Sequence, residues 1–350
     1  MYKRIARIVS DLRDFVLYLD KRKDMPYIVI TGAAGFIATR FAKKLNELGM
    51  ENLILVDDFS DASKTSNWAG LKCLERIDRS DISGLLNSSL EILAVIHLGA
   101  RTDTLELDYE VHRKWNVEYS KTIWDFCSQK NIPLIYASSA ATYGDGGLGY
   151  SDTPELIPNL KPLNPYGQSK NDFDLWAIEN PYSPKNWVGL KFFNVYGPGE
   201  AHKERMASVV WHGFNQIKET GAIELFKSYN PNFKDGEQVR DFIYVDDVVN
   251  VIYWIMVMMI SGNWVGIDNG LFNLGTGKPR SFLDLSNALF KSLSMKPNIK
   301  FIEMPEKLRP KYQYFTKAEM NRLRGVGYNK KFMTLEEGVD DYVSKYLLKE

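Results

Sequence analysis

The chain has 350 residues, 45% apolar and 25% charged, a globular composition rather than a disordered or fibrous one. Its 44 basic and 44 acidic residues cancel, which excludes the basic balance of a nucleic-acid or anionic-membrane binder. The two cysteines, Cys73 and Cys127, fit no metal-ligand spacing, so no metal site is expected and a reducing, cytoplasmic setting is.

Residues 1–26 place Ile5, Ile8, Val9, Leu12, Phe15, Val16 and Leu19 at helical spacing among charges. They predict an amphipathic helix packed on the body or on a partner subunit, with membrane attachment the lesser alternative. The charges interrupt any signal-peptide core, and the acidic residues argue against a transit peptide.

Tyr27 to Thr31 then reads as a buried strand, "GAAGFIA" from Gly32 to Ala38 as a turn, and Phe36 to Leu48 as a helix stopped by Gly49. Gly32 supplies a tight turn, and Gly35 lets backbone approach a pyrophosphate. Ala38 lets the helix lie close on the strand, so that a diphosphate rests on the helix N-terminus. A second strand, "NLILVDDF", ends at Asp57 and Asp58, where an acid ~20 residues after the glycines binds an adenosine ribose. Asp57 favours a free 2′-hydroxyl, whereas Lys64 and Arg79 downstream either meet a 2′-phosphate or are solvated surface cations. NADP and NAD both stay open at this point.

The run "LAVIHLGA" is a strand ending in small residues, so a cofactor can pass over Gly99 and Ala100. "PLIYASSAATYG" is another, with Ser138, Ser139 and Thr142 at its carboxyl end. Strands alternating with helices predict an α/β fold with a doubly wound, Rossmann-type parallel sheet that binds ligands at the strand carboxyl ends. In "NPYGQSK", Tyr166 and Lys170 share one face at the start of a helix. An ammonium there is expected to lower the tyrosine pKa, so that the pair can take a hydroxyl proton while hydride leaves the carbon, with Ser139 holding the same oxygen. Further on, "VVNVIYWIMVMMI" is too short to span a bilayer and predicts a buried helix.

"TGAAGFIA", "SSAATYG" and "NPYGQSK" resemble the extended short-chain dehydrogenase/reductases, the nucleotide-sugar epimerases and dehydratases, from about Tyr27 to the C-terminus. "RDFIYVDDVVNVI" and "FNLGTG" look like later landmarks of that family. By that resemblance Arg240 would meet a nucleotide diphosphate, and Asp246 and Asp247 would be helix N-caps. The family's 4,6-dehydratases carry an Asp-Glu pair after the active-site serine or threonine; Ala140-Ala141 stands there in this chain, which disfavours dehydration.

Within the family, "YASSAATYG", "FFNVYGPGEAHKERMASVVWH" and "KYQYFT" are similar to the epimerases that act at C6 of ADP-heptoses in lipopolysaccharide inner-core precursor synthesis. That resemblance implies an ADP-sugar substrate, tightly held NADP, a homo-oligomer, and transient oxidation of C6 to an aldehyde that turns over. Tyr166 and Lys203 would then be the two acid/bases, because one donor at a fixed position cannot reach both orientations of the oxygen. Other positions carry over one at a time. Phe36 and Ile37 would lie against the cofactor, as would Leu98, Gly99, Ala100, Arg101, Thr102 and Val195; Asn116 and Lys170 would touch its nicotinamide side. Asn194, Arg205, His212, Phe226, Ser228, Arg240 and Tyr312 would contact substrate. The chain departs from the family where Arg101-Thr102 replaces Cys-Ser and where Arg205 replaces a small serine, both beside the site. The segment "SYNPNFKDGEQVRDF" is longer than the usual loop.

The predicted organisation is a Rossmann-type domain over residues 27–193, completed by about 245–280. A smaller α/β C-terminal substrate domain takes residues 194–244 and 296–350. The alternatives are another NDP-sugar epimerase or reductase, and a catalytically silent nucleotide-binding scaffold, against which the retention of Ser139, Tyr166 and Lys170 argues.

Overall fold

A computed structural model describes residues 26–309 and 312–349; the predicted N-terminal helix lies outside them. The centre is a seven-stranded sheet. Its strands are β1 (Tyr27–Thr31), β2 (Leu53–Asp57), β3 (Glu75–Asp78), β4 (Ile92–His97), β5 (Leu134–Ser139), β6 (Trp187–Phe192) and a last strand, Gly270–Leu274. Spatially the last strand comes first, followed by β6, β5, β4, β1, β2 and β3. Every pairing is parallel, as expected for strands such as Leu53–Asp57 that are buried along their whole length. The order reverses between β1 and β4, the switch point at which open α/β sheets bind ligands.

The principal helices are α1 (Phe36–Glu47), α2 (Tyr119–Lys130), α3 (Pro165–Glu179), α4 (Val209–Thr220), α5 (Val245–Ile260), α6 (Phe282–Ser292) and α7 (Leu335–Tyr342). The apolar run at 248–260 is the buried helix α5. Asp246 and Asp247 are not its caps: Tyr244 holds the N-cap position, and both acids lie in the first turn, bonded elsewhere. Asp246 accepts from Arg40 at 2.5 Å and Asp247 from the Met333 amide at 2.7 Å. They tie the helix to α1 and to the C-terminal segment instead of to its own amides. Among the described residues no helix is long and apolar enough to cross a membrane.

Apolar packing forms two clusters. One fills both faces of the sheet; the other joins Phe36, Tyr196, Val210, Leu289, Val339 and their neighbours from α4, α6 and α7. Ile37 and Val195 pack against both, so the seam between the two cores opens at the carboxyl edge of the sheet. Small parallel pairs, Asn194–Tyr196 with Phe242–Tyr244 and Ile223–Phe226 with Ile299–Ile302, carry the chain away from that edge.

Candidate active site

A cleft of about 880 Å³ opens at the seam. Of the catalytic and cofactor residues predicted from the sequence, all but Asn116 line it, and so does Arg205. Its floor is the glycine turn. Gly32 has φ +70°, and a Cβ there would sit 2.6 Å from the Gly99 Cα; only hydrogens let the ends of β1 and β4 approach this closely. The resulting cradle suits a diphosphate at the start of α1.

Asp57 has a structural role that the sequence reading did not predict. One carboxylate oxygen accepts from the Ala34 amide at 2.9 Å and the other from the Asp58 amide at 2.7 Å, so the acid also braces the glycine turn. Cations stand beside both predicted ribose acids: Lys64 lies 3.7 Å from Asp57, and Arg79 lies 3.3 Å from Asp58. Arg79 also stacks on Trp115, 4.1 Å from the ring centroid. Next to them Tyr119 lines the cleft, and its buried hydroxyl has no partner among the described residues. A cradle without side chains, paired acids and cations, and an unsatisfied buried hydroxyl together fit the adenosine diphosphate half of a nicotinamide dinucleotide.

The catalytic wall is built by β5 and α3. Helix α3 begins with Asn164 accepting from the Gly167 amide at 2.8 Å and with Pro165 in its first turn. A Cβ at Gly167 would come 2.8 Å from the Ala141 carbonyl oxygen, so glycine permits the helix to press on the turn after Ser139. That contact brings Tyr166 beside Ser139, whose hydroxyl is within reach to hydrogen-bond the phenol oxygen. Lys170 is 4% exposed, and its Nζ donates to the Ala137 carbonyl at 2.8 Å. Burial holds Lys170 down to about 8, with the Asp174 charge acting against it.

Tyr166 departs from expectation. Burial pushes its pKa up, opposed by the Ser139 hydrogen bond and aided by the Asp174 charge. Burial outweighs the predicted lowering, and the Lys170 ammonium donates to the Ala137 carbonyl instead of to the phenol. In this state the group is a neutral phenol, poised as an acid.

Lys203 enters from a short helical segment, Ala201–Met206. Its Nζ lies 5.7 Å from the Phe36 ring centroid, and burial lowers its pKa against the pull of Glu200. Glu204, next in the chain, has φ 46° and ψ −119°, a strained backbone for any residue but glycine. Arg205 turns outward to Asp103 at 2.7 Å, and Arg101 approaches the same carboxylate at 3.6 Å. The two departures from the family pattern thus meet on one acid at the cleft mouth.

Asn116 stands behind the wall. It is fully buried in a π-wound stretch, Arg113–Glu118, and bonds the Arg101 amide, the Arg101 carbonyl and Ser169. It therefore positions Arg101 instead of facing the cleft.

The remaining predicted substrate residues do not line the cleft. Arg240 is packed between Phe282 and Tyr312 at 5.5 and 5.2 Å, with Phe226 against Tyr312 at 6.4 Å. Ser228 closes its own loop through Asn230 and Asp235. His212 packs on Trp211 along α4, and Asn194 is exposed at the start of its strand.

Three residues escaped the sequence reading. Asn67 donates to the Ala34 and Gly199 carbonyls and meets His202, tying the glycine turn to the Lys203 segment; nothing local marks it. Glu200, fully buried, accepts from the Gly197 amide and from both the amide and hydroxyl of Ser208. His97, held neutral by burial at about 3, links Thr31 to Ser120 beneath the cradle.

Residues 28–270 match the NAD dependent epimerase/dehydratase family, and the chain belongs to it. It is 48% identical to an ADP-L-glycero-D-manno-heptose-6-epimerase of Fusobacterium nucleatum over 92% of this chain and 98% of that protein. A protein of the same name from Nitratidesulfovibrio vulgaris is 42% identical over 91% and 97%. The crystal structure of the Helicobacter pylori ADP-L-glycero-D-manno-heptose-6-epimerase superposes with a TM-score of 0.76 at 26% identity, covering 94% of this chain and 98% of that one.

Proposed function

We propose that this chain is a nucleotide-sugar epimerase that interconverts ADP-D-glycero-D-manno-heptose and ADP-L-glycero-D-manno-heptose at C6. The observation that carries the reading is the convergence of two half-buried proton carriers, Tyr166 and Lys203, on one cleft from separate elements. The near-full-length identity to epimerases of that name supports the sugar.

A bound nicotinamide dinucleotide supplies reversible hydride exchange with C6; the chain supplies everything else. In one C6 configuration Lys203, as the neutral amine that its lowered pKa favours, takes the hydroxyl proton as the carbonyl forms. After the aldehyde turns over, its oxygen lies elsewhere, and Tyr166, a neutral phenol beside Ser139, delivers a proton there; the reverse reaction exchanges the two roles. Burial brings the Lys203 pKa down from the ordinary lysine value, which suits an acid/base near neutrality. Lys170 supplies positive charge beneath Tyr166. Ala140-Ala141 places no acid directly after Ser139, which disfavours expulsion of water.

NADP is the preferred dinucleotide, because Lys64 and Arg79 already stand beside the ribose-side acids. Substituting either by alanine is expected to weaken NADP more than NAD in a binding titration; equal weakening overturns the preference.

Incubating purified protein with the D-glycero sugar is expected to give the L-glycero epimer, resolved by proton NMR, with no net consumption of added NADPH. Stoichiometric NADPH oxidation would indicate a reductase, and no conversion with cofactor bound would sink the reading.

A further inference from the structure

Under the catalytic wall lies an ion pair that the chemistry above does not use. Lys191 of β6 and Asp174 of α3 are both fully buried, with Nζ and Oδ2 at 2.6 Å. Neither residue lines the cleft.

The pair's other bonds run toward the catalytic groups. Lys191 also donates to Thr142 Oγ1 at 2.8 Å, and that hydroxyl donates to the Ser139 carbonyl at 2.8 Å. Asp174 accepts from Ser138 at 2.6 Å and from the Tyr136 hydroxyl at 3.0 Å. On α3, Asp174 lies one turn beyond Lys170 and two beyond Tyr166. One buried pair therefore joins the carboxyl end of β5, the turn after it, and the helix that carries the proton chemistry. Stability alone does not account for such a pair, since packed apolar residues commonly serve as well or better.

We propose that Lys191 and Asp174 are positioning residues: they hold the end of β5 against α3 so that Ser139 keeps register with Tyr166 and Lys170. The Asp174 charge also acts on Lys170, and Lys191 offsets that charge at 2.6 Å. The proposal rests on the reading that Tyr166 and Lys170 serve the proton transfer.

The groups around Lys170 come from every neighbouring element. Helix α3 contributes Tyr166 and Asp174, β4 contributes neutral His97, and β5 contributes the Ala137 carbonyl and Ser139, while Lys191 of β6 stands behind Asp174 as its counter-charge. His112 packs on Tyr166 from the preceding segment, and Lys203 lies across the cleft. Among these, only Asp174 and Lys191 form a buried pair whose two charges can be removed one at a time.

The test is the basic limb of kcat/KM against pH. Asp174→Asn leaves Lys191 uncompensated, which favours neutral Lys170 and moves the limb to lower pH. Lys191→Met leaves Asp174 uncompensated and moves it to higher pH. The double variant returns the limb close to its parental position. Each single change is expected to lower kcat by about tenfold to a hundredfold, the scale of a slight misplacement, with KM and NADP affinity changed little; Lys191→Arg restores most of the rate.

Limbs that stay in place, or that move the same way in both single variants, overturn the proposal. Where a single variant does not fold, the double variant decides: parental kcat in that protein overturns the positioning role. Tyr166→Phe separates the two layers. A fully active Tyr166→Phe enzyme removes the underlying reading, whereas an inactive one with unmoved limbs in the pair variants removes only the role of the pair.

Discussion

The two proposed bases stand on walls built in opposite ways. Tyr166 belongs to a regular, capped helix whose position is set by a glycine contact and by the buried Lys191–Asp174 pair. Lys203 belongs to a short segment with an interior backbone outlier at Glu204. That segment is pinned at its ends, by Glu200 to Gly197 and Ser208, by Asn67 to the glycine turn, and by an exposed ion pair from Arg205 to Asp103. A helix places a side chain by repetition, so its accuracy is spread over many hydrogen bonds. A pinned turn places it through a few anchors, and each anchor matters more. The contrast suits a reaction in which one proton site stays fixed while the substrate aldehyde rotates toward the other.

The largest expected effects test the two bases directly. Tyr166→Phe is expected to lower kcat by about 10³-fold and Lys203→Ala by about 10²-fold, the range for loss of a general acid/base. Presented with each C6 epimer in a single turnover, the two variants should fail on different epimers, read by the absorbance of reduced nicotinamide. The same pattern of loss with both epimers breaks the comparison.

Next comes pH. Burial favours the neutral form of Lys170 and brings its pKa from 10.5 to about 8. Its charged form is the one that supports the tyrosine, so kcat/KM should fall as pH rises through about 8. A limb above pH ~10, where an unperturbed lysine titrates, would show that the ammonium is not desolvated.

Glu200→Gln places an amide donor against the Ser208 amide and is expected to cost about 2 kcal/mol of stability in urea unfolding, within the range for a buried unsatisfied group. Because burial raises the Glu200 pKa, its ionisation penalty is absent at acid pH and grows as pH rises through the folded-state value. The deficit of the glutamine variant should therefore be smaller at pH 8 than at pH 4.

Glu204→Gly relieves a strained φ/ψ and should gain about 1 kcal/mol while loosening Lys203, so that stability rises as kcat falls. A parallel rise of both would show that the turn conformation does not position the base. The smallest effect belongs to Arg205→Ala: the ion pair with Asp103 is largely exposed, and its loss should change stability by less than about 1 kcal/mol.

How much of this was legible can be traced residue by residue. The strand, glycine turn, helix and acid-ended strand follow from local pattern, and so does the sharing of a helix face by Tyr166 and Lys170. Lys191 left a trace: it interrupts the apolar run "WVGLKFF", and a lysine inside a buried strand needs an acid. Asp174 stands four residues past Lys170 on the same face and was equally visible, but nothing local says that the two meet. Asp246 and Asp247 are expected as caps from the family resemblance, whereas their partners, Arg40 and the Met333 amide, come from distant segments.

By itself the sequence determined the parallel α/β order, the dinucleotide turn and the Tyr-x-x-x-Lys pair, because periodicity, chain reversal and helical spacing depend on near neighbours. Only the tertiary structure decided that Asp57 braces the turn, that Lys170 is directed to a carbonyl while Tyr166 stays neutral, and that Arg101 and Arg205 converge on Asp103. Those outcomes depend on desolvation and on charges brought together from far apart in the chain, and both exist only once the chain has folded.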